Sequence, residues 1–127
     1  MRTDTMERIS TDEENATEVA EGVFLGDLAR GDRAGMKYWR VEPGATLPAH
    51  RHDHEQIGYM ISGTLVACVE GEEVLLEPGD SYRFASNEHH GAENRGEEPA
   101  VGVGILAPPR EKPDWGDSPN AEPSPQR

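Results

Sequence analysis

Short extended segments separated by glycine-containing turns dominate the centre of this 127-residue chain. Residues 56–61, 64–70 and 73–77 are rich in apolar and β-branched side chains, and Gly63 and Gly71 lie in the breaks between them. Strands joined by glycine turns at about eight- to ten-residue spacing are typical of an all-β sandwich or barrel. The apolar residues of this region do not follow the 3.6-residue period of a helix. The sequence therefore predicts an all-β domain.

Further strands are predicted on both sides of this region, at residues 23–25, 35–41, 81–85 and 99–106. Residues 1–20 mix polar and acidic side chains, and they predict either a flexible acidic arm or a short helix around residues 15–20. Residues 109–127 are proline-rich and polar, which predicts a disordered tail. We therefore expect one β-barrel domain over residues 21–108.

Composition supports a barrel and excludes several classes of partner. Only 34% of the residues are hydrophobic. A closed sheet filled by inward side chains can form a core from this small number of apolar residues. A net charge of −13 argues against nucleic acid or an anionic membrane as a partner. Lysine occurs only at Lys37 and Lys112, and an acidic, lysine-poor surface predicts a halophilic source. The single cysteine, Cys68, excludes an internal disulfide and fits the cytoplasm.

Histidines at metal-ligand spacing mark the candidate site. His50 and His52 are separated by one residue, so both imidazoles project from the same side of an extended segment. Gln56 follows four residues later, and a second pair, His89 and His90, follows a Pro-Gly-Asp turn at residues 78–80. Neutral imidazole is the commonest metal ligand, and two imidazoles need only one or two further donors to hold a divalent ion.

These residues resemble the two motifs of the small single-domain cupins. Histidines and glycines of the first motif, and the glycine, ligand histidine and asparagine of the second, match at the required spacing, at Gly44, His50, His52, Gly63, Gly79, His90 and Asn94. Gln56 replaces the usual glutamate, and Ala85 and Asn87 replace a proline and a glycine. The resemblance implies a cupin barrel, that is, a double-stranded β-helix or jelly roll, and a homodimer. It also implies one divalent ion, zinc, nickel, manganese or iron, held by His50, His52, Gln56 and His90.

A narrower resemblance is to the KdgF-type pectin-degradation cupins. The string His-Glu-Gln at residues 54–56 and the Pro-Pro-Arg segment ending at Arg110 are similar to segments of that family. The resemblance implies conversion of ring-form unsaturated uronates to linear keto forms, with Arg110 as a conserved arginine. However, the functional acid of the family falls on Gly104 and its aromatic residue falls on Leu106. A glycine cannot move a proton, so the uronate chemistry does not transfer intact.

The leading hypothesis is a Lewis-acid isomerase or tautomerase acting on a small sugar-derived or keto-acid substrate. With Gly104 in the acid position, His54, Glu55 and His89 are the candidate proton carriers. Arg40 and Arg110 are candidate anchors for a substrate carboxylate, Arg40 only if its face of the strand points inward. The alternatives are an iron-dependent cupin dioxygenase and a non-catalytic cupin that binds a metal or a small molecule.

Overall fold

A computed structural model describes residues 6–109 of the chain as two antiparallel β-sheets preceded by one turn of 3₁₀ helix at Glu13–Asn15. The ten strands are β1 (Thr17–Ala20), β2 (Val23–Arg30), β3 (Gly35–Val41), β4 (Thr46–His50), β5 (Glu55–Ser62), β6 (Leu65–Val69), β7 (Glu72–Leu76), β8 (Ser81–Phe84), β9 (His90–Glu93) and β10 (Ala100–Ala107). The predicted all-β class is confirmed. Among the described residues, no helix is long and apolar enough to cross a membrane.

The two sheets face each other across one apolar core. The larger sheet has the order β1-β2-β3-β10-β5-β8, and the smaller has the order β4-β9-β6-β7. Neighbours in space are often distant in sequence, as in the pairing of β10 with both β3 and β5. Val23, Val41, Met60 and Ala100 are fully buried between the sheets. This is the jelly-roll arrangement expected of a cupin barrel.

Two residues of the cupin motifs have structural roles in closing the barrel. Gly63 turns the chain after β5 with a φ of +72°, and a β-carbon there would lie 2.1 Å from the carbonyl oxygen of Pro99. Only glycine fits this position, because both the conformation and the space exclude a side chain. Asn94 is 1% exposed, and its amide nitrogen donates to the carbonyl oxygens of Val41 and Glu98 at 2.9 and 2.8 Å.

Asn94 also binds the chain through its other polar groups. Its side-chain oxygen accepts a hydrogen bond from the Gly96 amide at 2.8 Å. Its main-chain carbonyl accepts from Gly44, and its main-chain amide donates to Ala45. The residue therefore joins the end of β9 to the end of β3 and to the turn before β4.

The N-terminal segment differs from one of the two predictions made for it. The helix predicted around residues 15–20 is wrong, because Thr17–Ala20 forms β1 and pairs with β2. Strand formation lets Val19 and Ala20 pack against the core, which an isolated helix of this length would not achieve. The strand β9, which begins at His90, was not predicted. Residues 109–127 fall almost entirely outside the described residues.

Candidate metal centre and cavity

Three buried histidines converge at one end of the barrel. His50 ends β4, His52 lies in the following loop, and His90 begins β9 directly opposite His50 in the strand pairing. Ring centroids are 4.7 to 5.1 Å apart, and potential ligand atoms of the three residues lie within 4.8 Å of one another. The predicted convergence of these three imidazoles is therefore present.

Neighbouring groups fix the orientation of two of these rings. The Nδ1 atom of His50 lies 3.0 Å from the carbonyl oxygen of Pro48, and that of His90 lies 2.9 Å from the carbonyl oxygen of Glu88. A carbonyl only accepts, so each Nδ1 carries the proton and the lone pair is on Nε2. The ring of Phe84 stacks on His90 at a centroid distance of 4.2 Å and an angle of 10°. These contacts preset Nε2 as the coordinating atom.

The donor set fits a divalent metal ion. Two nitrogen ligands at about 2.1 Å from one ion are about 3 to 4 Å apart, and the potential ligand atoms of this cluster all lie within 4.8 Å of one another. No aspartate or glutamate in residues 6–109 joins the cluster. Gln56 begins the inward face of β5 and lines the same cavity as His50 and His90. The site therefore offers neutral donors only.

A cavity of about 80 Å³ adjoins His50, His90 and Gln56. One buried water needs about 10–15 Å³ on a comparable measure, so the cavity has room for a small molecule. Tyr82 and Phe84 form part of its wall, as their shared face on the strand predicts. Burial raises the pKa of the Tyr82 hydroxyl to about 12, against a smaller lowering by the Trp39 indole and the Gln56 amide. Tyr82 is therefore a neutral hydroxyl at physiological pH.

Inward-facing glycines of β5 and β10 make room for the aromatic wall. A β-carbon at Gly58 would lie 2.2 Å from the Tyr82 ring, and one at Gly102 would lie 2.3 Å from the Trp39 ring. Gly104 is different, because the nearest atom to a β-carbon there is 3.7 Å away. A β-carbon therefore fits at Gly104 without a clash, so packing around the main chain does not by itself require glycine there.

The three candidate proton carriers have different positions. His54 lies against the cluster, with its ring 5.3 Å from that of His52, and its Nδ1 donates to the Pro108 carbonyl oxygen at 2.8 Å. Glu55 is exposed and lies 4.0 Å from Arg83. His89, which lies in the loop before β9, does not join the cluster. Geometry therefore favours His54 over the other two.

The condition under which Arg40 would anchor a substrate carboxylate, an inward-facing side chain, is not met. On β3, Trp39 and Val41 belong to the core, so alternation turns Arg40 to the outside. There its guanidinium lies 4.5 Å above the Phe24 ring, and its Nε is 2.8 Å from Glu42. The inward cation of this strand is Lys37, which lines the cavity. Arg110, the other predicted anchor, lies outside the described residues.

Lys37 is the functional candidate that sequence reasoning missed. Its ammonium is 2.5 Å from the Asp27 carboxylate, and its side chain is largely buried. Alternation along the strand places Lys37 on the same face as Trp39, two residues later, so an inward Trp39 implies an inward Lys37. The pattern alone did not decide which face of β3 was inward, since both faces carry large apolar residues.

Known proteins share this fold and much of this sequence. The family model for the cupin domain matches residues 37–105. The pectin degradation protein KdgF of Dickeya dadantii is 32% identical over 107 residues, which cover 83% of this chain and 96% of that protein. The H2HPP isomerase of Bacillus subtilis is 40% identical over 67 residues, covering 53% of this chain and 28% of the isomerase.

A solved structure is also similar. KdgF from Halomonas sp. superimposes with a TM-score of 0.77 at 26% identity, covering 84% of this chain and 97% of that chain. The predicted resemblance to cupins, and within them to KdgF, is confirmed by these matches. The two sheets, the inward histidines and the match over more than half of the sequence lead to one conclusion: this chain belongs to the cupin family.

Proposed function

We propose that this protein is a divalent-metal-dependent isomerase or tautomerase of a small carbonyl compound. The observation that carries the proposal is the convergence of three buried imidazoles beside a cavity large enough for a small molecule. Two relatives support the reaction class, since one is a pectin degradation protein and the other an isomerase. When bound, a divalent ion supplies Lewis-acid polarisation of a carbonyl or hydroxyl oxygen.

The proposed ligands are His50, His52, His90 and Gln56. Carbonyl oxygens orient His50 and His90 so that neither ring must rotate to coordinate. Gln56 contributes an amide oxygen and no charge, so the protein does not neutralise the ion. Polarisation of a bound oxygen is therefore stronger than in a site with a glutamate, and the affinity for metal is lower. Zinc, nickel, manganese and iron all accept such a donor set.

The other residues of the cavity position the substrate and exclude water. Trp39, Tyr82 and Phe84 form a wall that shields the reacting atoms from solvent. His54 is the proposed proton carrier, because it is the one of the three candidates that contacts the histidine cluster. Its Nδ1 is engaged by Pro108, so Nε2 is the atom available to exchange a proton.

The ligand set makes a testable prediction at Gln56. In Gln56→Glu, we expect metal affinity to rise about tenfold or more, since a carboxylate adds a unit of opposite charge at the ion. The turnover of a keto-enol substrate should fall, because the added charge reduces polarisation. Metal content by mass spectrometry, competition titration with a chelator and the rate of tautomerisation measure these effects. Gln56→Leu is the matched control and should lose affinity; equal affinity in all three proteins would contradict the ligand role.

A second candidate function is a non-catalytic cupin that binds a small molecule. Gly104 favours it, because a β-carbon would fit there without a clash, yet the glycine offers no group to move a proton. In that case, ligand binding stabilises the protein without any turnover. Measurement of product formation with a ligand that demonstrably binds separates the two functions.

We also propose a homodimer formed through the outer face of the larger sheet. On this face Ile57, Tyr59 and Ile61 of β5 are about half exposed, at 45%, 48% and 51%. They lie beside the outward side chains of β10, where Val103 pairs with Tyr59 and Ile105 with Ile57. A contiguous apolar face of this kind marks an interaction surface.

The distribution of charge favours a second copy of the same chain as the partner that covers this apolar face. Two chains of net charge −13 repel each other. Contact through this apolar strip keeps that repulsion small, because the side chains that meet there are uncharged. In a two-fold dimer the same face of each copy would meet, and the outer face also carries the ion pairs Arg40–Glu42 and Arg83–Glu55. This arrangement also explains why β10 turns its valines outward and its glycines inward.

The proposed interface predicts the oligomeric state of two variants. Tyr59→Glu should convert a dimer to a monomer, because it places a like charge at the centre of each copy's apolar strip. Val74→Glu, at an equally exposed position of β7 on the other sheet, should remain a dimer. Sedimentation equilibrium at physiological salt measures both. A monomeric wild-type protein, or identical behaviour of the two variants, would refute the interface.

A further inference from the structure

The wall of the cavity beside the histidines is largely apolar. Five leucines, each from a different strand, line it together with the rings of Trp39, Tyr82 and Phe84. These side chains come from both sheets, so they surround the space and do not merely border one side of it. A ligand that enters the cavity therefore buries most of its own surface against hydrocarbon.

Such a wall discriminates against a polyhydroxylated ligand. Each buried hydroxyl that finds no hydrogen-bond partner costs about 1–3 kcal/mol. Within the described part of the chain, the polar groups lining the cavity besides the candidate metal ligands belong to Lys37, Tyr82 and the Trp39 indole. Three such groups are too few for the hydroxyls, ring oxygen and carboxylate of a sugar acid.

Lys37 provides a site for one anionic group. Its ammonium contacts the Asp27 carboxylate, and because Asp27 is exposed, this ion pair is weak enough for a ligand carboxylate to exchange with it. In the strand pairing Lys37 lies directly beside Gly104. An acid at that position would compete for the lysine, whereas the glycine brings no carboxylate. Lys37 is therefore placed to bind a carboxylate that belongs to the ligand.

We infer that the cavity takes a small monocarboxylate that carries one keto or enol group and an apolar body, aromatic or branched aliphatic. The oxygen of the keto group faces the histidine cluster, the carboxylate contacts Lys37, and the apolar body packs against the leucines and Trp39. This inference rests on the proposed metal-dependent function for its reaction, but not for the apolar character of its ligand.

A ranking of three ligands tests the inference. Phenylpyruvate has the proposed groups, pyruvate lacks the apolar body, and D-galacturonate has hydroxyls in its place. Isothermal titration of the metal-loaded protein should show phenylpyruvate binding at least about tenfold tighter than either of the others, because burial of the phenyl group adds favourable transfer energy. Equal or tighter binding of galacturonate, no gain over pyruvate, or no binding of any of the three would overturn the inference.

The role of Lys37 is tested with a ketone that lacks the carboxylate. In Lys37→Met, phenylpyruvate should bind about tenfold more weakly, while phenylacetone should bind as it does to the wild type. Arg40→Met is the matched control, since Arg40 lies on the outer face, and it should change neither affinity. If Lys37→Met does not fold, the wild-type preference for phenylpyruvate over phenylacetone decides the point. Equal affinity for these two compounds would exclude a carboxylate site.

Failure of the inference and failure of the proposed function give different results. The same titrations with chelator-treated protein report the apolar preference without metal. If phenylpyruvate keeps its advantage but metal has no effect on binding or tautomerisation, the metal-dependent function is wrong and the ligand class stands. If metal binds stoichiometrically and the hydroxylated ligand is preferred, the ligand class is wrong and the metal centre stands.

Discussion

His52→Ala is expected to lose stoichiometric metal and all metal-dependent activity. His52 is 1% exposed, and its ring centroid lies about 5 Å from those of both His50 and His90. Its removal leaves two imidazoles and an amide, and no carboxylate of the described residues joins them. Binding energies of four-ligand zinc sites imply a loss of about two orders of magnitude in affinity for each ligand removed.

The measurement is the molar ratio of metal to protein after purification without chelators, followed by a competition titration. His89→Ala is the matched control, because His89 neighbours His90 in sequence but does not join the cluster. It should keep the wild-type ratio. The melting temperature provides a second readout, since metal that binds only the folded state should stabilise wild type and His89→Ala but not His52→Ala. A metal ratio near one in His52→Ala would remove the basis of the proposed function.

Asn94→Ala is expected to lower the free energy of unfolding by about 3 kcal/mol or more. The substitution removes two hydrogen bonds donated to Val41 and Glu98 and one accepted from Gly96. It leaves the buried Val41 carbonyl and two partly buried main-chain groups without their partner, and it opens a small void at a fully buried position. The magnitude follows from about 1 kcal/mol for each lost hydrogen bond, plus the cost of the groups left unsatisfied.

Urea denaturation of the chelator-treated protein isolates this effect from metal binding. Asn15→Ala is the control, because Asn15 is exposed and its side chain binds only the nearby Asp12 carboxylate among the bonds described. It should change stability by less than about 1 kcal/mol. Similar stability of Asn94→Ala and wild type would mean that water replaces the asparagine, and that the motif residue has no structural role.

Much of the site was predictable because it depends on local spacing. His50 and His52 share a face by alternation, and the second motif brings His90 to them by a fixed count from Gly79. The turn at Gly63 was equally predictable, since a positive φ at a crowded position requires glycine. These predictions needed no knowledge of which strands pair.

The errors arose where the fold decides which face is inward. The outward Arg40 and inward Lys37 depend on the pairing of β3 with β10, which is not local. On β10 the valines alternate with glycines, and Gly102 and Gly104 face the core. The ring of Trp39, contributed by β3, fills the space above Gly102. The outer face keeps its valines, which is consistent with a second copy covering it.

The smaller sheet ends at β7, whose outer edge is open to solvent in the described chain. Val74 and Leu75 on this strand are half exposed, and an edge with apolar side chains invites addition of strands from other molecules. Glu73 opposes this, since hydrogen bonds from Arg95 hold the pKa of its carboxyl below the ordinary value. A lowered pKa keeps the carboxylate ionised to more acidic pH than a free glutamate. The ion pair between Glu73 and Arg95 therefore persists near pH 4.7, where the sequence as a whole approaches zero net charge. At that pH it still opposes the addition of strands from other molecules to this edge.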